Sequence, residues 1–376
     1  MARSGPILFI TRNFSPALGG IETIAEELTQ HGIETGERVV LVHIGQRPCS
    51  PSPAGLLAYR HFPGTDRWPA LFIATFVIPA MAIQYRPRLI VNVQVTTGLG
   101  SLFASRLLGI PYVVLCMGLE ILPGKSLLWR GLRGRVLRGA RRVISISRFT
   151  DSLAAGFGVK VENRRMVNPG TRFFPDVSKS GGRSQVFGAG SETVFVCLSL
   201  SRLVPRKGMD IMIEAIAKVI EVRSDILYCI GGSGPDLPRL QALVEAKGLE
   251  KHVRFLGRIP DADMGRCYAQ ADLFVLPSRA SLDPPDVEGF GIVFLEAAAC
   301  GTPSLGGASG GVPDAVLDGE TGFLVDPEDP ANIAEKILLL MSDRNLLASL
   351  STRARAHAED STWAKVRPRY FAAMLS

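Results

Sequence analysis

The 376-residue sequence has no CxxC pair and no cluster of cysteine with histidine. Its six cysteines, Cys49, Cys116, Cys197, Cys229, Cys267 and Cys300, are scattered. This excludes a zinc ribbon or a disulfide framework and predicts small buried thiols in a reducing compartment. No secretory leader is visible. The first apolar run, Pro6–Thr11, is too short for one and continues straight into a domain. No run reaches bilayer length. The longest, Ala70–Ile83, contains Pro79 and is expected to form a core helix. Acidic residues are missing altogether between Ile121 and Thr150, where Lys125, Arg130, Arg133, Arg135, Arg138, Arg141, Arg142 and Arg148 fall. Aromatic residues are scarce around this basic stretch, which excludes a nucleic-acid stacking platform.

What is present is ordinary globular material, 47% hydrophobic and 20% charged, with a net charge of +7. At roughly 150 residues per domain, the length predicts two to three domains. Short β-rich runs begin at Pro6, Arg38, Arg88, Pro111 and Arg141, separated by helical patterns. A polar stretch rich in serine and glycine, Phe173–Glu192, breaks the alternation, which resumes with β-rich runs at Thr193, Asp225, His252 and Asp272. The fold class is therefore α/β, two tandem Rossmann-like doubly wound domains. The expected divisions are a domain over 1–178, a linker over 179–192, a domain over 193–355, and a terminal helix over 356–376 that could cross back to the first domain. Ligands in such sheets bind beyond the carboxyl ends of the strands, so two facing sheets would share a central cleft.

Four loops carry candidate chemistry. In Thr11–Thr23, Gly19 and Gly20 follow the first strand and open a helix, so backbone can approach an anion. In Leu198–Ala215, Arg202 and Lys207 flank a strand-to-helix loop, a pairing suited to pyrophosphate. The turn around Gly232 and Ser233 begins like a dinucleotide fingerprint, but Leu237 takes the third glycine position, which weakens a nicotinamide reading. The fourth is Glu288–Pro303, with Glu288 and Glu296 eight residues apart. A continuous helix would set them ~12 Å apart. Gly289 and Gly291 instead place Glu288 in a loop ahead of the helix that carries Glu296. Backbone N–H groups over Gly289–Ile292, including those of Phe290 and Gly291, can meet an anion between two carboxylates that each accept from hydroxyls. A nucleotide sugar has that layout. Asp261 and Asp263 are expected to cap a helix and not to hold a metal.

The set SRLVPRKG, GGSGP, EGFGIVFLEAAACGTP, SGGVPDAVLDG and TGFLVDP, spanning 195–330, resembles the retaining family 4 glycosyltransferases of GT-B fold, also described as glycosyl transferases group 1. The first half matches more loosely, through GGIE, GLE, SISRFT and VNPG. The resemblance implies a hexosyltransferase that uses a nucleoside-diphosphate sugar, GDP- or UDP-linked, and no metal or other cofactor. Glu288 would meet the donor sugar and Glu296 the ribose. Arg202 and Lys207 would hold the diphosphate, and Gly19 and Gly20 would approach the donor phosphate and the acceptor. Gly232, Ser233, Arg258 and Ile259 would line the nucleoside pocket. Asn13, Met117, Gly118, Glu120 and Asn168 would face the acceptor or the donor sugar. The acceptor would be a glycan or a lipid-linked glycan of the cell envelope. The enzyme would be cytoplasmic and peripheral on the inner membrane face, with Lys125–Arg142 against anionic lipid. One departure stands out: many relatives have histidine where Met117 stands. A thioether is a weak hydrogen-bond partner. A nucleotide-sugar epimerase and a non-catalytic glycosyltransferase-like subunit are the alternatives.

Overall fold

The computed structural model describes residues 5–12, 14, 19–45, 48, 53–63, 67–122, 126–172, 174, 182–282 and 285–376, with 67–74, 119 and 282 described by backbone alone. Asn13, Cys49 and Lys125 lie outside the described residues. The other five cysteines are buried, and among the described residues they form no disulfide.

The chain divides into two compact units, 1–169 with 363–376, and 170–362. The first unit runs β1 (Ile7–Thr11), α1 (Gly20–Glu34), β2 (Val39–Gly45), β3 (Ala58–Pro63), α2 (Arg67–Tyr85), β4 (Leu89–Asn92), α3 (Gly98–Leu108), β5 (Tyr112–Cys116), α4 (Leu127–Gly139), β6 (Arg142–Ser145), α5 (Arg148–Gly156) and β7 (Arg164–Met166). All seven strands are parallel, in the order β3-β2-β1-β4-β5-β6-β7. β1, β2, β4 and β5 are buried on both faces, which is why they read as unbroken apolar runs.

The second unit runs α6 (Arg183–Phe187), β8 (Phe195–Leu200), α7 (Met209–Ile220), β9 (Ile226–Gly231), α8 (Leu237–Lys247), β10 (Val253–Gly257), α9 (Asp261–Gln270), β11 (Leu273–Leu276), β12 (Ser281–Leu282), β13 (Pro285–Asp286), α10 (Ile292–Ala299), β14 (Ser304–Gly307), α11 (Val312–Ala315), β15 (Gly322–Val325), α12 (Pro330–Ser342) and α13 (Arg344–Asp360). Its parallel sheet has the order β10-β9-β8-β11-β14-β15, with β12 and β13 as a small hairpin apart. In both sheets the order reverses beside the first strand, between β1 and β4 and between β8 and β11. This is the switch point where doubly wound sheets bind ligands.

The divisions differ from those expected of the sequence. The first unit closes at Pro169 and not at 178. The stretch expected as linker belongs to the second unit and contains α6, and its residues 179–181 are outside the described set. Residue 356 falls inside α13, and the last helix, α14 (Trp363–Leu375), belongs to the first unit. It packs there on α1: the Phe371 ring meets His31 edge-on at 4.8 Å, and Arg367 pairs with Glu27 and Glu34. The Tyr370 hydroxyl donates to the Val167 carbonyl at 2.8 Å. α2 packs on the core as expected, but among its described side chains along one side only. Ile78 and Ala82 face the core, whereas Phe76 and Ile83 are 61% and 62% exposed. Among the described residues no helix is long and apolar enough to cross a membrane.

Candidate functional site

The second unit gathers its polar loops at the carboxyl end of its sheet. The loop after β8 carries Arg202, Arg206 and Lys207. Arg202 is exposed, whereas Lys207 is buried just before α7. Glu288 lies in the loop ahead of α10, which starts only at Ile292 after Gly291 takes a left-handed conformation, φ 94°. The Glu288 carboxylate accepts from the Lys207 ammonium and from Arg206 Nη1, the latter at 3.0 Å. Arg206 Nε also lies 2.8 Å from Asp286 of the β13 hairpin. Burial alone would raise the Glu288 pKa, but Lys207 and Arg206 together overcome it and hold the group at about 2. Burial pulls the Lys207 pKa down while Glu288 pulls it up. We take the pair as ionised because Glu288 answers two cations at once. Arg206 escaped the sequence reading, although it adjoins Lys207 in VPRKG. Its signal was a second cation beside a lysine that has only one carboxylate to satisfy.

Glu296 sits eight residues on, buried inside α10. Its Oε2 accepts from the Tyr268 hydroxyl at 3.1 Å, and Arg172 Nε stands 3.9 Å from Oε1. Burial raises its pKa, and Arg172 and the Tyr268 hydrogen bond oppose that rise. Arg172 also reaches Asp261 at 3.3 Å. Asp261 and Asp263 lie in the first turn of α9, but the N-cap is Pro260, so neither carboxylate caps the helix as expected. Their charges still suit a helix N-terminus.

The turn after β9 is joined to the Arg202 loop by backbone. Leu203 donates its N–H to the Ser233 carbonyl at 3.0 Å, and Asp236 donates to the Leu203 carbonyl at 3.1 Å. Gly232 adopts φ 135° and donates to the Gly257 carbonyl at 2.7 Å. Arg258 is exposed and Ile259 half-buried beside this turn, while Phe290 is buried in the core, leaving its backbone as the part that can meet a ligand.

The remaining described candidates lie in the first unit, near the carboxyl ends of its strands. Gly19 is the N-cap of α1, and Gly20 is its first residue. Met117 is buried, and its backbone N–H donates to the Glu120 carboxylate at 2.7 Å. Burial raises the Glu120 pKa against hydrogen bonds from Met117 and Gly118. Glu120 thus closes the turn after β5. Asn168 Nδ2 donates to the Ile146 carbonyl at 3.0 Å. Glu120 and Asn168 are both engaged with backbone.

Two Rossmann-like units, one with clustered cations and paired acids beyond its switch point, define the GT-B glycosyltransferase class. The family model for glycosyl transferases group 1 matches residues 185–357, and that for the glycosyl transferase 4-like domain matches 19–170. The chain belongs to the group 1 glycosyltransferase family, and it is an enzyme of the hexosyltransferase kind. It is 37% identical over 64% of both chains to a GDP-mannose-dependent alpha-(1-6)-phosphatidylinositol monomannoside mannosyltransferase of Mycolicibacterium smegmatis. It is 29% identical to the protein of that description from Mycobacterium tuberculosis (strain CDC 1551 / Oshkosh), over 93% of this chain and 92% of the relative. The crystal structure of Anabaena Alr3699/HepE in complex with UDP superposes with a TM-score of 0.82 at 22% identity, covering 98% of this chain and 99% of that one, a likeness of fold.

Proposed function

We propose that the protein transfers a mannosyl group from GDP-mannose, with retention of anomeric configuration, to a hydroxyl of a lipid-linked glycan bearing an inositol phosphate. The observation that carries this is the Glu288 carboxylate clamped by Lys207 and Arg206 beyond the switch point. Arg202, Arg206 and Lys207 supply three positive charges against Glu288 and Asp286, and the surplus suits a diphosphate. Glu288 offers its remaining acceptor capacity to the sugar hydroxyls, and Glu296 accepts from the ribose diol. Lys207 and Arg202 stabilise the charge that develops on the departing diphosphate. That phosphate takes the acceptor proton. No residue of the chain is needed as a base, so Met117 can replace a histidine without loss of a proton carrier. The relatives' GDP-mannose dependence supports the choice of base and sugar.

The test is transfer from GDP-mannose, UDP-glucose and UDP-N-acetylglucosamine to a phosphatidylinositol monomannoside acceptor, with donor-only controls. A mannosylated lipid of α configuration, formed from GDP-mannose alone, is expected. Conversion of donor without acceptor would indicate an epimerase. No turnover with intact nucleotide binding would indicate a non-catalytic subunit.

We place the first unit against an anionic membrane. At the start of α4, Leu127 and Leu128 are 82% and 70% exposed, followed on that helix by exposed Arg130, Arg135 and Arg138. α2 and α3 add exposed Phe76, Ile83, Phe103 and Leu107. Apolar side chains among cations suit the interface of an acidic leaflet. Leu127→Glu with Leu128→Glu is expected to lower partition onto phosphatidylinositol-containing vesicles at least fivefold and to leave nucleotide binding within twofold. Unchanged flotation would remove this surface from the proposal.

A further inference from the structure

We propose that His43 is a positioning residue, which holds the backbone where the chain leaves β1 by donating from Nε2 to the Arg12 carbonyl while Tyr59 fixes its ring. The functional half of this inference rests on the proposed transfer, in which Gly19 and Gly20, at the start of α1, serve donor phosphate and acceptor.

Thr11, His43 and His61 are register partners across β1, β2 and β3. Register partners share a face of the sheet, so these three side chains form a row at the carboxyl end of the first unit's sheet. Thr11 and His43 are buried. Tyr59, two residues before His61, lies on the same face, and its hydroxyl is 3.3 Å from His43 Nδ1. The other side of the ring meets the backbone of Arg12, the first residue beyond β1. A methyl built on Gly45 would collide with His43 Nε2 and would also touch the Arg12 carbonyl oxygen, which places these two atoms together. Gly45 is the glycine that this close approach requires.

A carbonyl can only accept, so Nε2 carries the hydrogen. Nδ1 is then the acceptor of the neutral ring, and the Tyr59 hydroxyl donates to it. His61 is set by the same logic: its Nε2 lies 3.0 Å from the Gly45 carbonyl, and its ring stands 5.3 Å from that of His43. Burial lowers the His43 pKa to about 4, with His61 adding to the fall and the Arg12 carbonyl opposing it. The neutral tautomer therefore persists through the physiological range.

Arg12 is gripped from a second strand end as well. Its N–H donates to Gln94 Oε1, just past β4, at 3.0 Å. Side chains from two different strand ends thus fix the peptide groups where the chain leaves β1. His43 touches no reacting group in this arrangement and acts through the Arg12 backbone.

Two measurements test this separately. In protein labelled with 15N-histidine, the His43 resonance, assigned by its loss in His43→Gln, is expected to show a neutral Nε2–H tautomer from pH 8 to pH 5. An Nδ1–H tautomer or a charged ring at pH 6 would overturn the tether, whatever the enzyme's substrate. In the transfer assay, His43→Leu is expected to lower kcat at least tenfold. His43→Gln, which restores a donor near Nε2, is expected to recover to within threefold of wild type, and Tyr59→Phe to lose about threefold. A kcat for His43→Leu within twofold of wild type, or a glutamine variant no better than the leucine one, would overturn the positioning role. If His43→Leu does not fold, the order wild type, then Tyr59→Phe and His43→Gln decides it, and equal kcat in all three overturns it. Failure of every donor to support transfer would sink the proposed function and leave the tautomer result standing.

Discussion

Glu288→Gln is expected to lower unfolding stability at pH 7 by about 3 kcal/mol and to reduce transfer at least a hundredfold. The stability figure comes from linkage. The folded-state pKa of about 2 lies below the ordinary carboxylate value of 4.5. A depression of that size corresponds to about 3 kcal/mol at 1.36 kcal/mol per unit. An independent route agrees: removing one partner of a buried ion pair typically costs ~3–5 kcal/mol, because the other charge stays behind. In this case Lys207 stays behind with Arg206 beside it, and only Asp286 remains to balance them. The sign fixes the pH window. A depressed carboxylate contributes stability that is fully present above pH 4.5 and is lost as pH falls through 2. Urea unfolding of wild type and variant should therefore differ by about 3 kcal/mol at pH 7, and the difference should shrink steadily below pH 4.5. A gap that is independent of pH would mean that Glu288 is not the ionised partner of Lys207. The loss of transfer is measured separately, at a temperature where both proteins remain folded. It has the size expected when one electrostatic contact to a reacting group is removed, ~10²–10³.

The sequence disclosed this site unevenly, for physical reasons. β1, β2, β4, β5, β8, β9 and β11 are buried on both faces, so their apolar runs announced them. β3 has the sequence AYRHFP and a partly exposed edge, so it offered neither an apolar run nor clean alternation. β14 reads SLGG, because a side chain at Gly307 would strike the Ser278 carbonyl. Close packing selected the glycines there, against β propensity. The break before α10 was legible because Gly289 and Gly291 bracket Phe290. The engagement of Glu288 by Arg206 was not, since it depends on how a loop after β8 meets one after β13. The unit boundary was misplaced for a related reason. Polar composition marks surface chain, whereas the division at Pro169 follows from which contacts α14 and residues 170–172 make. The row of Thr11, His43 and His61 required the register of β3, the strand that the sequence hid.

Gly232→Ala is expected to weaken GDP binding at least tenfold and to destabilise the fold by more than about 3 kcal/mol. Gly232 occupies φ 135°, a conformation that side chains rarely adopt, and strain of that kind costs on the order of 1–3 kcal/mol. Strain is the smaller part. The added Cβ would fall well inside van der Waals contact of the Ser201 carbonyl oxygen, which is backbone and has no rotamer to escape into. Ser201 N–H donates to the Gly231 carbonyl at 3.2 Å, and Leu203 donates to Ser233, so the two loops cannot separate without breaking these bonds. Arg202 lies between the two anchored residues and would move with them. Gly248→Ala separates the two contributions. Gly248 has φ 64° but nothing within 4 Å of the site of its Cβ, so that variant carries strain alone, about 1–2 kcal/mol, and should bind GDP as the wild type does. Calorimetric titration of GDP into both variants decides it. If Gly232→Ala bound GDP as tightly as Gly248→Ala, the Arg202 loop would not depend on the turn after β9. The nucleotide would then have to be held by the Lys207–Glu288 side of the site.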